Sequence, residues 1–118
     1  MRLGKALGAA ALVLASASPV AAHSLLLDSS PAAASTVAAP HQLTLRFNNR
    51  IEKPLSRLRV VNERGAAQTL AVLASDGPAD RVTAALPALA PGAYRVEWQV
   101  LSTDGHIVSG SFAFTVAP

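Results

Sequence analysis

After its first two dozen residues the chain alternates polar and apolar positions in short runs of period two. No apolar stripe of helical period reaches a useful length. Gln42-Leu-Thr-Leu-Arg-Phe47 is one such run, and Leu58 to Asn62 and Thr69 to Leu73 are two more on either side of the turn signal Glu63-Arg-Gly-Ala66. Arg81 to Leu86 follows the loop Ser75-Asp-Gly-Pro78. Tyr94 to Val100 sets Tyr94, Val96, Trp98 and Val100 on one face, and Ser109 to Val116 does the same for Phe112, Phe114 and Val116. With Leu25 to Leu27 the pattern predicts about seven strands and an all-β fold, a single antiparallel sandwich of immunoglobulin-like architecture. Neither an internal repeat nor a domain linker interrupts it.

Local chemistry sharpens that expectation. In Leu89-Ala-Pro-Gly-Ala-Tyr94 a Pro-Gly turn leads into a long strand, the arrangement of a tyrosine corner, in which the phenol bonds back to the turn. A plain inward-facing Tyr94 would suit the same fold. Trp98 shares the apolar face of its strand and reads as core rather than as a stacking platform for a cofactor.

The start of the chain reads differently. Arg2 and Lys5 precede a small, apolar segment from Ala6 to Ala17, and Val20-Ala21-Ala22 offers small residues ahead of a cut. This predicts a secretory signal peptide over residues 1–22 and a mature domain over 23–118, with His23 as the new N-terminus. A cut after Ala17 is the alternative, and it would leave His23 inside an arm. The apolar segment is short of the ~20 residues that span a bilayer, so export is expected rather than anchoring.

Of the ten Lys and Arg, Arg2 and Lys5 belong to the leader, leaving eight against seven Asp and Glu. The mature net charge is therefore near neutrality, and the remaining basic residues are dispersed, which argues against a nucleic-acid footprint. The chain has no cysteine, and its single methionine is Met1. The mature domain thus has neither disulfides nor soft sulfur ligands for a metal ion.

What remains for chemistry is nitrogen and oxygen. An N-terminal His23 would present an amine and an imidazole that close a chelate ring on one cation. Asp104 and His106, two residues apart, would face the same side of an extended segment and add an oxygen and a nitrogen. Three nitrogens and one oxygen in a plane suit Cu(II). Each residue also has an ordinary reading: Asp104-Gly105 as a hairpin turn capping its own backbone, His106 as a solvated histidine. His41, beside Pro40 before a strand, has no partner pattern and reads as surface.

Two separated stretches carry a family resemblance. Ala22-His-Ser-Leu-Leu-Leu-Asp-Ser-Ser-Pro31 and the stretch from Ala33 to Pro40 resemble the opening of the CopC family of periplasmic copper-binding, copper-resistance proteins. Leu43 to Phe47 with Ile51-Glu52 resembles that family's next strand and turn. Trp98 to Val116 resembles its Trp-x-Val-x-Ser-x-Asp-Gly-His-x-x-x-Gly-x-Phe-x-Phe ending. The resemblance implies a small Greek-key β-barrel or sandwich that binds one Cu(II) through the N-terminal amine and imidazole of His23, Asp104 and His106. It also implies a copper carrier or buffer in the periplasm and an inner-membrane copper-transport client of the CopD type. The chain departs from the pattern at Leu25, where many relatives have a second histidine, and at Asn48-Asn49, where relatives often have Ser-Glu. It has no counterpart of the Met-rich Cu(I) loop of some members, so a Cu(II)-only member is expected.

Two other classes compete with the carrier. A copper oxidase would use an N-terminal histidine brace, but the chain is short for an enzyme with a substrate-binding face, and a carboxylate in the copper plane disfavours the reduced state. A plain immunoglobulin-like interaction module would use Asp104-Gly105 only as a turn. Hydrolysis finds no support, because Ser102 and Ser109 lack a strand-turn-helix nucleophile context.

Overall fold

A computed structural model describes residues 25–74 and 77–118. Within them the strands are β1 (Leu26–Ser30), β2 (Thr36–Val37), β3 (Gln42–Phe47), β4 (Arg57–Asn62), β5 (Ala67–Leu70), β6 (Arg81–Ala85), β7 (Gly92–Leu101) and β8 (Ile107–Val116), with a 3-10 turn at Lys53–Leu55. They form two sheets, one in the order β1-β3-β6 and one in the order β2-β8-β7-β4-β5. Every pairing is antiparallel except that of the two-residue β2 with β8. The expected all-β sandwich is the observed architecture.

Alternation explains how the sheets face each other. Along β3, Leu43, Leu45 and Phe47 are buried while Gln42, Thr44 and Arg46 look outward. They meet Val82 and Ala84 of β6 on their own sheet, and Leu58 and Val60 of β4, Val96, Trp98 and Val100 of β7, and Phe114 and Val116 of β8 across the core. Trp98 lies edge-on to Phe47, with ring centroids 5.2 Å apart, so it is core as its face predicts. Opposite it on β8 stands Gly110, whose missing side chain leaves the space that the indole fills.

The tyrosine corner is present. The Tyr94 hydroxyl donates to the Ala90 carbonyl at 2.6 Å, and the ring stacks on Phe114 with centroids 5.8 Å apart. The turn before β5 is closed by the Asn62 side chain, whose Oδ1 accepts from the amides of Arg64 and Ala66, while Gly65 takes the positive φ of 82° that the turn requires.

The strand expected over Thr69 to Leu73 is split. Leu70 pairs with Leu58 in the larger sheet, but Val72 bridges to Ala84 of β6 in the smaller one, and the Leu73 amide donates to the Thr83 carbonyl. The apolar alternation continues through Leu70 and Val72 while the chain crosses between sheets and closes one side of the sandwich. On the other side, Ala34 donates to Ala113, and the Thr115 amide donates to Ser35.

β7 and β8 form the longest ladder, paired from Gly92↔Val116 to Leu101↔Ile107. Its turn, residues 102–106, therefore stands at the end of the sandwich opposite the tyrosine corner. Among the described residues no helix is long and apolar enough to cross a membrane.

Candidate metal centre

The turn after β7 is stitched to the segment that follows β3. The Glu52 amide donates to the Leu101 carbonyl, Thr103 donates to Arg50, and Ile51 bridges to Ser102. Within the turn, Ser102 donates its amide to the His106 carbonyl and accepts from the Gly105 amide, both at 2.9 Å. Gly105 has φ 93°, a backbone conformation costly for any residue with a Cβ. The Asp-Gly signal thus marks a tight turn.

Asp104 and His106 therefore occupy turn positions rather than the extended segment expected from their spacing. Their side chains nevertheless converge. Asp104 Oδ1 accepts from the His106 amide at 3.2 Å and stands 3.1 Å from His106 Nδ1. The backbone cap that an ordinary turn aspartate makes is present, and the same oxygen meets the imidazole. Turn closure, not strand alternation, brings the two together.

Ser102 completes the arrangement. It is fully buried, and its hydroxyl donates to Asp104 Oδ1, with the His106 carbonyl 3.3 Å away. A buried hydroxyl on one carboxylate oxygen fixes the plane of a side chain that would otherwise rotate at the surface. The Ser102 hydroxyl first, then the His106 ring and amide, hold the Asp104 carboxyl below the ordinary aspartate value against the opposing effect of burial. The site thus keeps an ionised carboxylate oriented toward an imidazole. The sequence reading missed Ser102, taking it only as a serine without nucleophile context; the signal available was its place two residues before the aspartate of a tight Asp-Gly turn.

The donor set fits a cation. The Oδ1 to Nδ1 separation of 3.1 Å is that of a hydrogen bond between the two groups, which sets a carboxylate oxygen and an imidazole nitrogen side by side. Oxygen and imidazole nitrogen are the hard and borderline donors that Cu(II) accepts. Among the described residues no three His, Cys, Asp or Glu side chains form a metal cluster, so the pair has two donors of the expected set. His23 lies outside the described residues. The first described residue, Leu25, is held at this same end: its amide donates to Asn48 Oδ1 at 2.7 Å, and the Asn48 amide donates to its carbonyl at 3.0 Å. His41 is exposed at the far end of β3, with its carbonyl taken by the Leu86 amide, and takes no part.

Comparison with known proteins agrees with this geometry. Residues 26–117 match the family model of the CopC domain. The chain is 31% identical over 122 residues to copper resistance protein C of Escherichia coli, with 97% of each chain covered. It is 30% identical over 98 residues to the copper transport protein CutJ of Bacillus subtilis, covering 80% of this chain but 18% of that much longer one. The crystal structure of CopC from Methylosinus trichosporium OB3b superposes with a TM-score of 0.74 at 37% identity, covering 81% of this chain and 95% of that one. These relatives are named for copper resistance and copper transport, not for catalysis. With a family model spanning residues 26–117, a relative matched over 97% of both chains and the same fold, the chain belongs to the CopC family.

Proposed function

We propose that this protein is an exported Cu(II) carrier or buffer serving copper resistance and homeostasis. One Cu(II) would be held by the amine and imidazole of a mature N-terminal His23, by Asp104 and by His106. The observation that carries this reading is the meeting of the Asp104 carboxylate and the His106 ring at the end where Leu25, two residues after His23, is anchored. Removal of residues 1–22 as a signal peptide generates the amine and delivers the domain to the periplasm. The absence of cysteine, and of any methionine beyond Met1, supports a site for Cu(II) alone.

Protons compete for the amine and both imidazoles, so copper binding weakens as pH falls. The client is an inner-membrane copper-transport protein of the CopD type. Support for it comes from CutJ, in which a segment similar to this domain is part of a longer copper transport chain.

The test is a Cu(II) titration of protein beginning at His23, followed by electron paramagnetic resonance and a competing chelator. A single tetragonal site with about three nitrogens and one oxygen, lost in His106→Ala and severely weakened when one alanine is added before His23, is the expected result. Weak or multiple binding indifferent to both changes would leave an exported β-sandwich with no copper role.

A further inference from the structure

Apolar side chains left in water are unevenly placed over this domain. Among the described residues the exposed large ones are Leu25, Leu27, Leu55, Leu73 and Ile107. All but Leu73 lie at the end that holds Asp104 and His106. Leu25 and Leu27 stand beside the end of β3, where Asn48 bonds to Leu25 and Leu26 pairs with Phe47. Leu55, 60% exposed, sits in the 3-10 turn that follows the Ile51–Ser102 bridge. Ile107, 66% exposed, opens β8 directly after His106. The opposite end, with the tyrosine corner and the turn 63–66, carries none among the described residues. Single exposed leucines are ordinary on a protein surface, whereas apolar side chains gathered from separate segments around one site mark a contact surface.

The fold does not need a leucine at position 55. Its turn is closed by the Leu55 amide on the Glu52 carbonyl, the Ser56 amide on the Lys53 carbonyl and the Ser56 hydroxyl on the Glu52 carbonyl. Ile107 is likewise held by its backbone pairing with Leu101 while its side chain stays in solvent.

We propose that the copper end of the sandwich is a docking surface for the protein that receives the metal, with Leu27, Leu55 and Ile107 meeting an apolar collar around that partner's own nitrogen and oxygen donors. The proposal rests on the carrier reading above. Metal passes between proteins by ligand exchange, so the acceptor's donors must reach Asp104 and His106, and a protein that comes so near covers the side chains flanking them. Nitrogen and oxygen are the donors that take Cu(II) onward.

Charge at this end favours such a partner over a lipid surface. Arg46 is paired with Asp28, Arg81 lies 3.9 Å from Asp80, and Arg50, Lys53 and Arg57 stand against Glu52 and Asp104. The excess is one cation among the described residues, whereas an anionic membrane is recognised by clusters of roughly four to eight Lys or Arg. A near-neutral, apolar surface fits a protein surface of the same kind. A second copy docked here would instead turn the two copper sites toward each other and close both to an acceptor.

The experiment uses the mature protein beginning at His23, loaded with Cu(II), and a CopD-type transport protein reconstituted in phosphatidylcholine vesicles. Empty vesicles of phosphatidylcholine, with and without phosphatidylglycerol, serve as controls. Wild type, Leu27→Ser, Leu55→Ser and Leu73→Ser are compared for binding to the vesicles and for copper taken up by them. Leu27→Ser and Leu55→Ser should each lower binding and copper delivery about tenfold. Leu73→Ser, the same change away from this end, should match wild type. Chelator competition should give one Cu(II) affinity for all four proteins, because a small chelator reaches the turn without covering the rim.

Delivery by Leu27→Ser and Leu55→Ser within twofold of wild type, or an equal loss in Leu73→Ser, would overturn the docking surface and leave the copper site standing. Wild type that does not bind the transporter vesicles, or binds empty vesicles equally well, would overturn it too, the latter in favour of a lipid surface. Sedimentation showing a wild-type dimer dispersed by Leu55→Ser would replace the acceptor with a second copy. If wild type holds no single Cu(II) in the titration described above, the carrier reading itself falls and the proposal with it.

Discussion

Replacing Gly110 by alanine puts a methyl group where the indole of Trp98 lies. A Cβ at Gly110 would stand 2.4 Å from Cζ2, 2.8 Å from Cε2 and 3.1 Å from Nε1 of that ring. Carbon atoms in contact prefer roughly 3.5–4.0 Å, so the ring must retreat by about 1 Å or the β7–β8 ladder must open. Retreat is blocked by Phe47, itself buried and packed edge-on at 5.2 Å. Overpacking of this kind costs about 1–3 kcal/mol, and a rigid ring met at its bonded edge belongs near the top of that range. Gly110 does not have the left-handed backbone that penalises alanine, so the substitution also recovers about 0.4–1 kcal/mol by restricting the unfolded chain. The clash wins, leaving a loss of about 2 kcal/mol, which in a domain of this size lowers Tm by about 8–16 °C. Thermal unfolding followed by circular dichroism measures it. A companion variant isolates the cause: Trp98→Phe removes the clashing atoms and also an indole nitrogen with no hydrogen-bond partner, so Gly110→Ala should cost far less in that background. A Tm for Gly110→Ala within about 2 °C of wild type, or an equal loss in both backgrounds, would refute the reasoning.

Two further outcomes follow from named contacts. Ser102→Ala removes the hydroxyl that orients Asp104 but leaves the His106 carbonyl its bond from the Ser102 amide; Cu(II) affinity should fall about 10- to 100-fold with little change in Tm, and chelator competition showing less than a twofold change would remove Ser102 from the site. Glu97 is held below its ordinary value of 4.5 by bonds first from Arg59 and then from Arg95. Its contribution to stability is therefore complete above that value and lost as pH falls through the lower folded-state value. Glu97→Gln should flatten the decline of Tm with acidification below about pH 4.5, and an unchanged acid limb would show that the two arginines do not hold the carboxylate in solution.

The strands that alternate cleanly were legible in the sequence because side-chain direction has a period of two residues and needs no partner to define it. β3 begins and ends where its pattern does, and the Tyr94, Val96, Trp98, Val100 face of β7 is a core face as read. Tyr94 was legible for a similar reason, since the Pro-Gly turn and the phenol acceptor lie within five residues of it. Asp104 and His106 were singled out by residue type and spacing, yet the extended geometry supposed to unite them is replaced by a turn in which their side chains meet. Pairing between distant segments was not legible. Whether Val72 belongs to the sheet of Leu58 or to that of Ala84 depends on which edge the folded sandwich presents to it. β2, two residues in an Ala- and Pro-rich stretch, is a strand only because β8 offers it a free edge. The Asn48 hold on Leu25 spans 23 positions of sequence. Local alternation and residue chemistry belong to the sequence; register and sheet membership are decided by long-range closure, where burial and hydrogen-bond satisfaction are settled for all segments at once.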